Sequence, residues 1–319
     1  MNCRCCSSDE VRKFGSFSNR NRLVQRFQCL RCGKTFSESQ PLEGIRIDAA
    51  KAAMVAQMLC EGVGVRAIAR LTQLDKNTVL NVLETAGAHC EQLLTQRIRG
   101  VQVSEVQIDE AYSFVNCLAV NTTFDDTERG DQYCFLAFER TSKLILHSEI
   151  GKRNGATTRL FLDGLKSRVT GRFQLTSDGF KPYCDSQANG VGSVFGSAID
   201  YGIEVKQYGR PTGYGSQREK PVQLQSLRRI RRIGNPDRSK MTTNHIERQN
   251  LNVRLFNRRF TRKTLGYSKI MRNHRFAMAL QIAHFNFCRV HSAHKQTPAM
   301  NAGLTDHVWT VAELLSQPQ

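Results

Sequence analysis

The sequence predicts an α/β protein in three parts: a cysteine-rich segment folded around a metal, a small helical domain, and a mixed core of strands and helices. Three observations carry this. Two C-x-x-C pairs, Cys3/Cys6 and Cys29/Cys32, stand within the first forty residues. Helical patterns broken by short connections fill residues 47 to 95. From Val101 onward, runs of period 2 replace period 3.6 and then alternate with it.

The first segment holds five of the eleven cysteines. Four thiolates in two such knuckles make a closed tetrahedral zinc site, with Cys3, Cys6, Cys29 and Cys32 as ligands. A bound zinc supplies folding energy that so short a segment cannot get from a core. Cys5 competes with Cys3 or Cys6 for a place in that set, and a redox pair is the alternative to zinc. Gly33 suits the tight turn of the second knuckle. Basic and aromatic residues, among them Arg26, Phe27, Arg31 and Phe36, interleave with it in the manner of zinc ribbons that touch nucleic acid. The other six cysteines are scattered and read as small buried hydrophobes.

The helical part begins with Ile47 to Glu61, whose apolar stripe reads as Ala50, Ala53, Met54, Met58 and Leu59. Gly62 and Gly64 end it. Val65 to Leu71 forms a second helix. After Thr72-Gln73-Leu74, a third runs from about Lys76 to Leu94, with Asp75 as its N-cap. Two short helices joined this way make a helix-turn-helix, which would present Lys76, Asn77 and Thr78 to a DNA major groove. Gln73 stands where such turns often carry glycine, and three-helix packing without DNA contact is the alternative.

The core starts with the strand Val101 to Asp109. Tyr133 to Glu139 and Leu144 to Ile150 follow as a hairpin about Arg140-Thr141-Ser142. A helix from Ala156 to about Val169 leads to the strand Phe173 to Asp178. Gly190 to Gly196 reads as a loop, Ala198 to Gln207 as a strand, and Gly209 to Pro221 as a loop again. Asn244 to Arg254 and Ser268 to Val290 close the core as helices, and Trp309, Val311, Leu314 and Leu315 suit one last short helix. Three strands, helix, strand, then strand and helix is the order of a ribonuclease H-like core.

Two acids end strands in this scheme, Asp109 and Asp178, and a third, Glu247, lies on the later helix. Carboxylates brought together repel unless a cation joins them, and hard oxygen ligands suit Mg²⁺ or Mn²⁺. Two such ions about 3.5–4 Å apart drive in-line attack on a phosphodiester. Each acid taken singly reads first as a turn former or helix cap, and it is the context of the three together that points to a metal. Glu110 should point to the opposite face of its strand from Asp109 and so fall outside the ligand set.

Charge supplies the context. The chain of 319 residues carries a formal +18, with a pI near 9.7. Fifteen Lys/Arg against two acids, Asp237 and Glu247, lie between Leu227 and Arg275. So local an excess implies a polyanion, the alternative being a solvated helix face. On a helix Glu247, Asn250 and Arg254 share a side. Arg254 and Arg258 suit backbone phosphates, or charge building at the reacting phosphorus. His245 sits off that side, in a packing or DNA-contact role. No run of eighteen apolar residues exists and the first residues are not a secretory signal. The cell interior, with reduced thiols, is the expected compartment.

The two cysteine pairs, the helix-turn-helix and the Asp-Asp-Glu order together resemble a bacterial transposase of the insertion-sequence-one class. The most specific stretch is His245-Ile246-Glu247-Arg248-Gln249-Asn250-Leu251-Asn252-Val253-Arg254, continuing through Arg258 and Arg262-Lys263-Thr264 to Tyr267-Ser268-Lys269. The resemblance covers the chain to about residue 292, with a long stretch from Phe180 to Asp237 between the second and third acids. It implies a ribonuclease H-like fold with Asp109, Asp178 and Glu247 as the catalytic triad, holding two Mg²⁺ or Mn²⁺ ions. The parts then divide as zinc ribbon 1–42, helix-turn-helix 43–98, catalytic domain 99–292 and tail 293–319. Expected DNA contacts are Lys76, Asn77, Thr78, Asn250, Arg254, Arg258, Arg259, Arg262 and Lys263. The expected partners are double-stranded DNA, as element ends and target, and at least one further copy of the chain; no membrane is expected. The alternatives are a DNA-binding regulator with a relic catalytic domain, and a nuclease of the same fold that only hydrolyses.

Overall fold

In a computed structural model, which describes residues 3, 6, 8–19, 22–37, 45, 47–123, 125–185, 189–209, 223–261 and 264–317, the N-terminal cysteines gather at one end of a small antiparallel sheet. Its strands are β1 (Val11–Asn19), β2 (Arg22–Cys29) and β3 (Thr35–Ser37), in that order. Gly33 turns the chain between the last two with φ +72°, a left-handed backbone that favours glycine. Among the described residues of this segment only Cys3, Val24 and Cys29 are buried hydrophobics. With so little apolar surface removed from water, the thiols have to carry the fold.

Three helices follow: α1 (Ala49–Cys60), α2 (Val65–Thr72) and α3 (Lys76–Arg97). Asp48 caps the first by accepting from the Lys51 N–H, and Asp75 caps the third by accepting from the Asn77 N–H, both at 2.8 Å. Between α2 and α3 the chain turns through Gln73 at φ +55°, so glutamine occupies the left-handed position directly. The buried stripe of α1 is Ala52, Val55, Ala56 and Cys60, whereas Ala50 is exposed and Met54 is 43% exposed. Of the stripe expected from periodicity, Ala53, Met58 and Leu59 pack partly buried against the core, while Ala50 and Met54 do not. The helix is apolar nearly all round, and its packing partners decide which side is covered.

The core sheet contains β5 (Glu105–Val115), β6 (Gly130–Glu139), β7 (Ile145–Gly151), β9 (Gln174–Ser177), β10 (Asp200–Gly209) and β11 (Gln223–Ile233). Its order is β11-β10-β9-β5-β6-β7. β5, β6 and β7 pair antiparallel, β5, β9 and β10 pair parallel, and β11 returns antiparallel along β10. A parallel pair of two residues each, β4 (Val101–Gln102) and β8 (Val169–Thr170), stands apart from it. Such a mixed α/β arrangement is compatible with a ribonuclease H-like core.

Period 2 sorts β5 between two layers. Val106 and Ile108 join one apolar cluster with α4 (Gly155–Lys166), the short helix α5 (Lys181–Cys184) and α6 (Val191–Phe195). Ala111 and Val115 join the other, with α7 (Asn244–Phe256) and α8 (Met271–Ala283). α8 runs on as a π-helix over His284–Cys288. The helical part packs directly on this layer. Gly87 of α3 lies so close to α8 that an added Cβ would stand 2.3 Å from the Phe276 Cβ. After α9 (Pro298–Asn301), α10 (Val311–Ser316) docks on α1 and α3, and the Leu314 carbonyl meets the His89 ring at 3.0 Å.

Three elements differ from expectation. The strand expected over Val101 to Asp109 is split into β4 and β5, and β5 runs on to Val115 because it pairs along its length with β6, so Asp109 lies within a strand and does not end one. Residues 191–195 form a helical turn where a loop was read, since its apolar side chains Val191, Val194 and Phe195 are buried. β11 had no strand assigned at all. It is an edge strand, largely exposed and rich in arginine, so it lacks the alternation that marks a half-buried strand. The loop expected over Gly209 to Pro221 lies, but for Gly209, outside the described residues.

Candidate active site

Strand pairing brings two of the acids together. β9 runs parallel to β5 with Gln107 opposite Thr176, and it stops at Ser177. Asp178 therefore sits just past the strand end, beside Asp109 two residues further along β5. The Asp178 carboxylate also accepts the Phe180 N–H at 2.9 Å, which shapes the turn out of the strand. Gln107 fixes α7 against the sheet by accepting the Ile246 N–H at 3.0 Å. One turn on, Asn250 donates to Asp109 Oδ2 at 2.7 Å.

Glu110 joins them. One ligand oxygen from each of Asp109, Glu110 and Asp178 lies within 4.8 Å of the others. The alternation of faces still holds, since Asp109 faces α7 while Glu110 lies on the side of Tyr183. Asp178 lies off the end of β9 and so reaches both. Arg153 donates to Glu110 Oε2 at 3.0 Å, stands 4.0 Å from Asp178 Oδ2, and stacks over Phe180 at 4.0 Å. Sequence reasoning missed Glu110 because alternation alone places it away from Asp109; its only signal was adjacency.

Glu247 is placed differently. Its side chain is 44% exposed, and its carboxylate accepts from Lys206 Nζ and from Thr243 Oγ1, each at 2.6 Å. It lies outside the 4.8 Å cluster but close enough to act on Asp109. Buried Glu204 accepts from Thr243 N–H at 3.0 Å and from Arg229 at 3.2 Å, and so holds the start of α7. Burial pushes the Asp109 carboxyl up to about 6, with the Asp178 and Glu247 charges adding to it. Burial likewise pushes Glu110 up to about 7, against the pull of Tyr183 and Arg153. Crowded, buried carboxylates of this kind can hold a divalent cation.

The N-terminal thiols form a second candidate metal site. Cys3 and Cys32 lie 3.5 Å apart, as do Cys6 and Cys29, and all four sulfurs fall within 4.8 Å. Thiolates sharing a tetrahedral zinc stand roughly 3.8 Å apart, so the four can bind zinc. The Lys34 N–H lowers the Cys32 thiol, but desolvation and the neighbouring thiols outweigh it and push the group up to about 12.

The expected DNA contacts divide. A groove of about 750 Å³ between the helical part and the segment after α7 is lined by Arg66, Lys76, Asn77, Arg258, Arg259 and Lys269. Lys76, Asn77 and Arg258 are exposed there, and Thr78 is half-buried outside it. Arg259 is largely buried, donates to Ser268 Oγ at 3.2 Å, and is lowered by burial to about 10. Asn250 is buried with its amide on Asp109, so it is not a surface contact. Arg254 is half-buried on α7, two turns on from Glu247 and on the same side of the helix. Arg262 and Lys263 lie outside the described residues. His245 packs against Arg140, which donates to its Nε2 at 3.2 Å.

No protein-family model matches the chain, and no curated protein matches it in sequence. Among solved structures it is similar to a Mos1 transposase paired-end complex with left transposon end, at 14% identity and a TM-score of 0.20. The match covers 53% of this chain and 61% of that one, less than two thirds of its length. A likeness that slight carries no argument about function. Among the described residues no helix is long and apolar enough to cross a membrane.

Proposed function

We propose that this chain is a metal-dependent DNA transposase that binds the ends of an insertion sequence, cuts there and joins the freed strand to new DNA. The observation that carries it is the meeting of Asp109, within β5, and Asp178, just past the end of the parallel neighbour β9, beside the helix of Glu247. The sequence resemblance to transposases of the insertion-sequence-one class supports the same reading, as does the cationic groove.

Asp109, Asp178 and Glu247 would hold Mg²⁺ or Mn²⁺. Two ions so held would activate a water or a DNA 3′-hydroxyl and offset charge on the leaving oxygen. The chain's own residues do the positioning. Asn250 fixes the orientation of Asp109, and Gln107 fixes the helix that carries both Asn250 and Glu247. Lys206 and Thr243 hold the Glu247 carboxylate at the helix start. Lys76, Asn77 and Arg258 would steady phosphates in the groove. The four-cysteine segment, with one zinc, and the helix-turn-helix would read the element end. Bringing two ends together requires at least a dimer, working on DNA inside the cell.

The test is strand transfer with a pre-cut element end, alongside nicking of a supercoiled plasmid. Asp109→Asn, Asp178→Asn and Glu247→Gln should each abolish both and leave end binding intact. The three losses should be far from additive, because the ligands share one site. Strand transfer by Asp178→Asn at the wild-type rate in Mg²⁺ would overturn the assignment. Hydrolysis without strand transfer by the wild-type chain would make it a nuclease instead.

A further inference from the structure

We propose that Glu110 is itself a metal ligand, so that Asp109, Glu110 and Asp178 hold one divalent ion without help from Glu247. This rests on the metal-dependent reading above and deepens it. Three observations support it. Carboxylate oxygens of the three residues lie within 4.8 Å of one another, a group that excludes Glu247. A Mg²⁺–oxygen distance of about 2.1 Å puts opposed ligands about 4.2 Å apart, so a small side-chain rotation closes the set. Second, the Glu110 side chain is 2% exposed, and its Oε1 is buried in no well-formed hydrogen bond, with the Tyr183 hydroxyl as the donor beside it. A buried carboxylate oxygen so weakly held has coordination to spare for an ion. Third, a cation already sits against the cluster: Arg153 donates to Glu110 Oε2 and stands 4.0 Å from Asp178.

Glu247 has different partners and a different exposure. Its carboxylate is engaged by Lys206 and Thr243, and 44% of its side chain faces solvent. It is therefore suited to completing the site when a second ion arrives with the DNA backbone. The geometry thus orders the loading, with the Asp109/Glu110/Asp178 ion first.

Mn²⁺ binding to the full-length chain without DNA, followed by electron paramagnetic resonance of the free ion, tests this. Glu110→Gln keeps the shape of the side chain and should weaken the tightest Mn²⁺ site at least tenfold. Glu247→Gln should change it less than threefold. Arg153→Gln removes the cation that competes for Glu110 and Asp178, and should tighten binding at least threefold. A merely structural Arg153–Glu110 pair predicts the opposite: Glu110→Gln binding Mn²⁺ as the wild type does, and Arg153→Gln bringing no gain. Either of those results overturns the assignment, as does a wild-type chain with no Mn²⁺ site below millimolar. A chain that binds Mn²⁺ through Glu110 yet neither nicks nor joins DNA would sink the transposase reading alone. Wild-type Mn²⁺ binding by Glu110→Gln, together with strand transfer lost in Asp178→Asn, would sink only the Glu110 assignment.

Discussion

Asn250 illustrates how much of the site depends on a residue that bears no charge. Its amide donates to Asp109 Oδ2 at 2.7 Å from a position only 3% exposed. Asn250→Ala should lower cleavage about 10–100-fold, the usual cost of losing an outer partner of a metal ligand. End binding, measured by gel shift, should not change. Asp109 and Asp178 were legible in the sequence because each closes an alternating apolar run, although only Asp178 proves to lie at a strand end and Asp109 lies within β5. Glu110 was not, because its place depends on where β9 stops, and that is set by pairing across the sheet. His274 gives a second residue-scale expectation. It lies buried between Ser113 and Ser268, and burial holds it down at about 3, with Arg259 adding to the effect. The unfolded chain takes up a proton there below about pH 6.5 and the folded chain does not. Stability is therefore full above that pH and is lost as pH falls towards 3. Each such histidine should contribute a slope on the order of 1 kcal/mol per pH unit. Urea midpoints between pH 7 and 5 should fall steadily, and His274→Gln should flatten the fall.

Elements built on side-chain chemistry were the most legible. The cysteine spacing locates the N-terminal knuckles, and Asp75 locates the start of α3, because ligands and caps act over a few residues. Elements placed by tertiary contact were less so. The face of α1 was read only in part because several neighbours compete for an apolar helix, and β11 was missed because an arginine-rich edge strand carries no apolar alternation. Dependence of the first sheet on its thiols follows from how little it buries. Cys29→Ser should abolish zinc, measured as one ion per wild-type chain by elemental analysis, and should unfold β1 to β3. The later core should melt as before, since Cys29 lies outside both of its apolar clusters.

At the scale of the whole molecule, the charge excess of residues 227–275 is divided by the fold among different tasks. Arg229 anchors Glu204, Arg259 is buried on Ser268, and Arg258 stands exposed in the groove with Lys76. Counting arginines in the sequence could not separate these roles, because burial depends on the packing of α7 and α8. Arg258→Ala should reduce the slope of log K against log salt for end DNA by roughly 0.9, the share of one phosphate contact. Arg259→Ala should instead lower the melting temperature. An unchanged slope for Arg258→Ala would assign that side chain to solvent.

The contact at Gly87 sets one more property of this machine. Because α3 meets α8 with no room for even a methyl group, the helical part is seated on the core by touching backbones. If α3 reads an element end, the distance from the bases it reads to the phosphate that is cut is a rigid length built into the protein. Such an enzyme measures as it binds: an end with one base pair added between the recognised sequence and the cleavage point would present the wrong phosphate to Asp109.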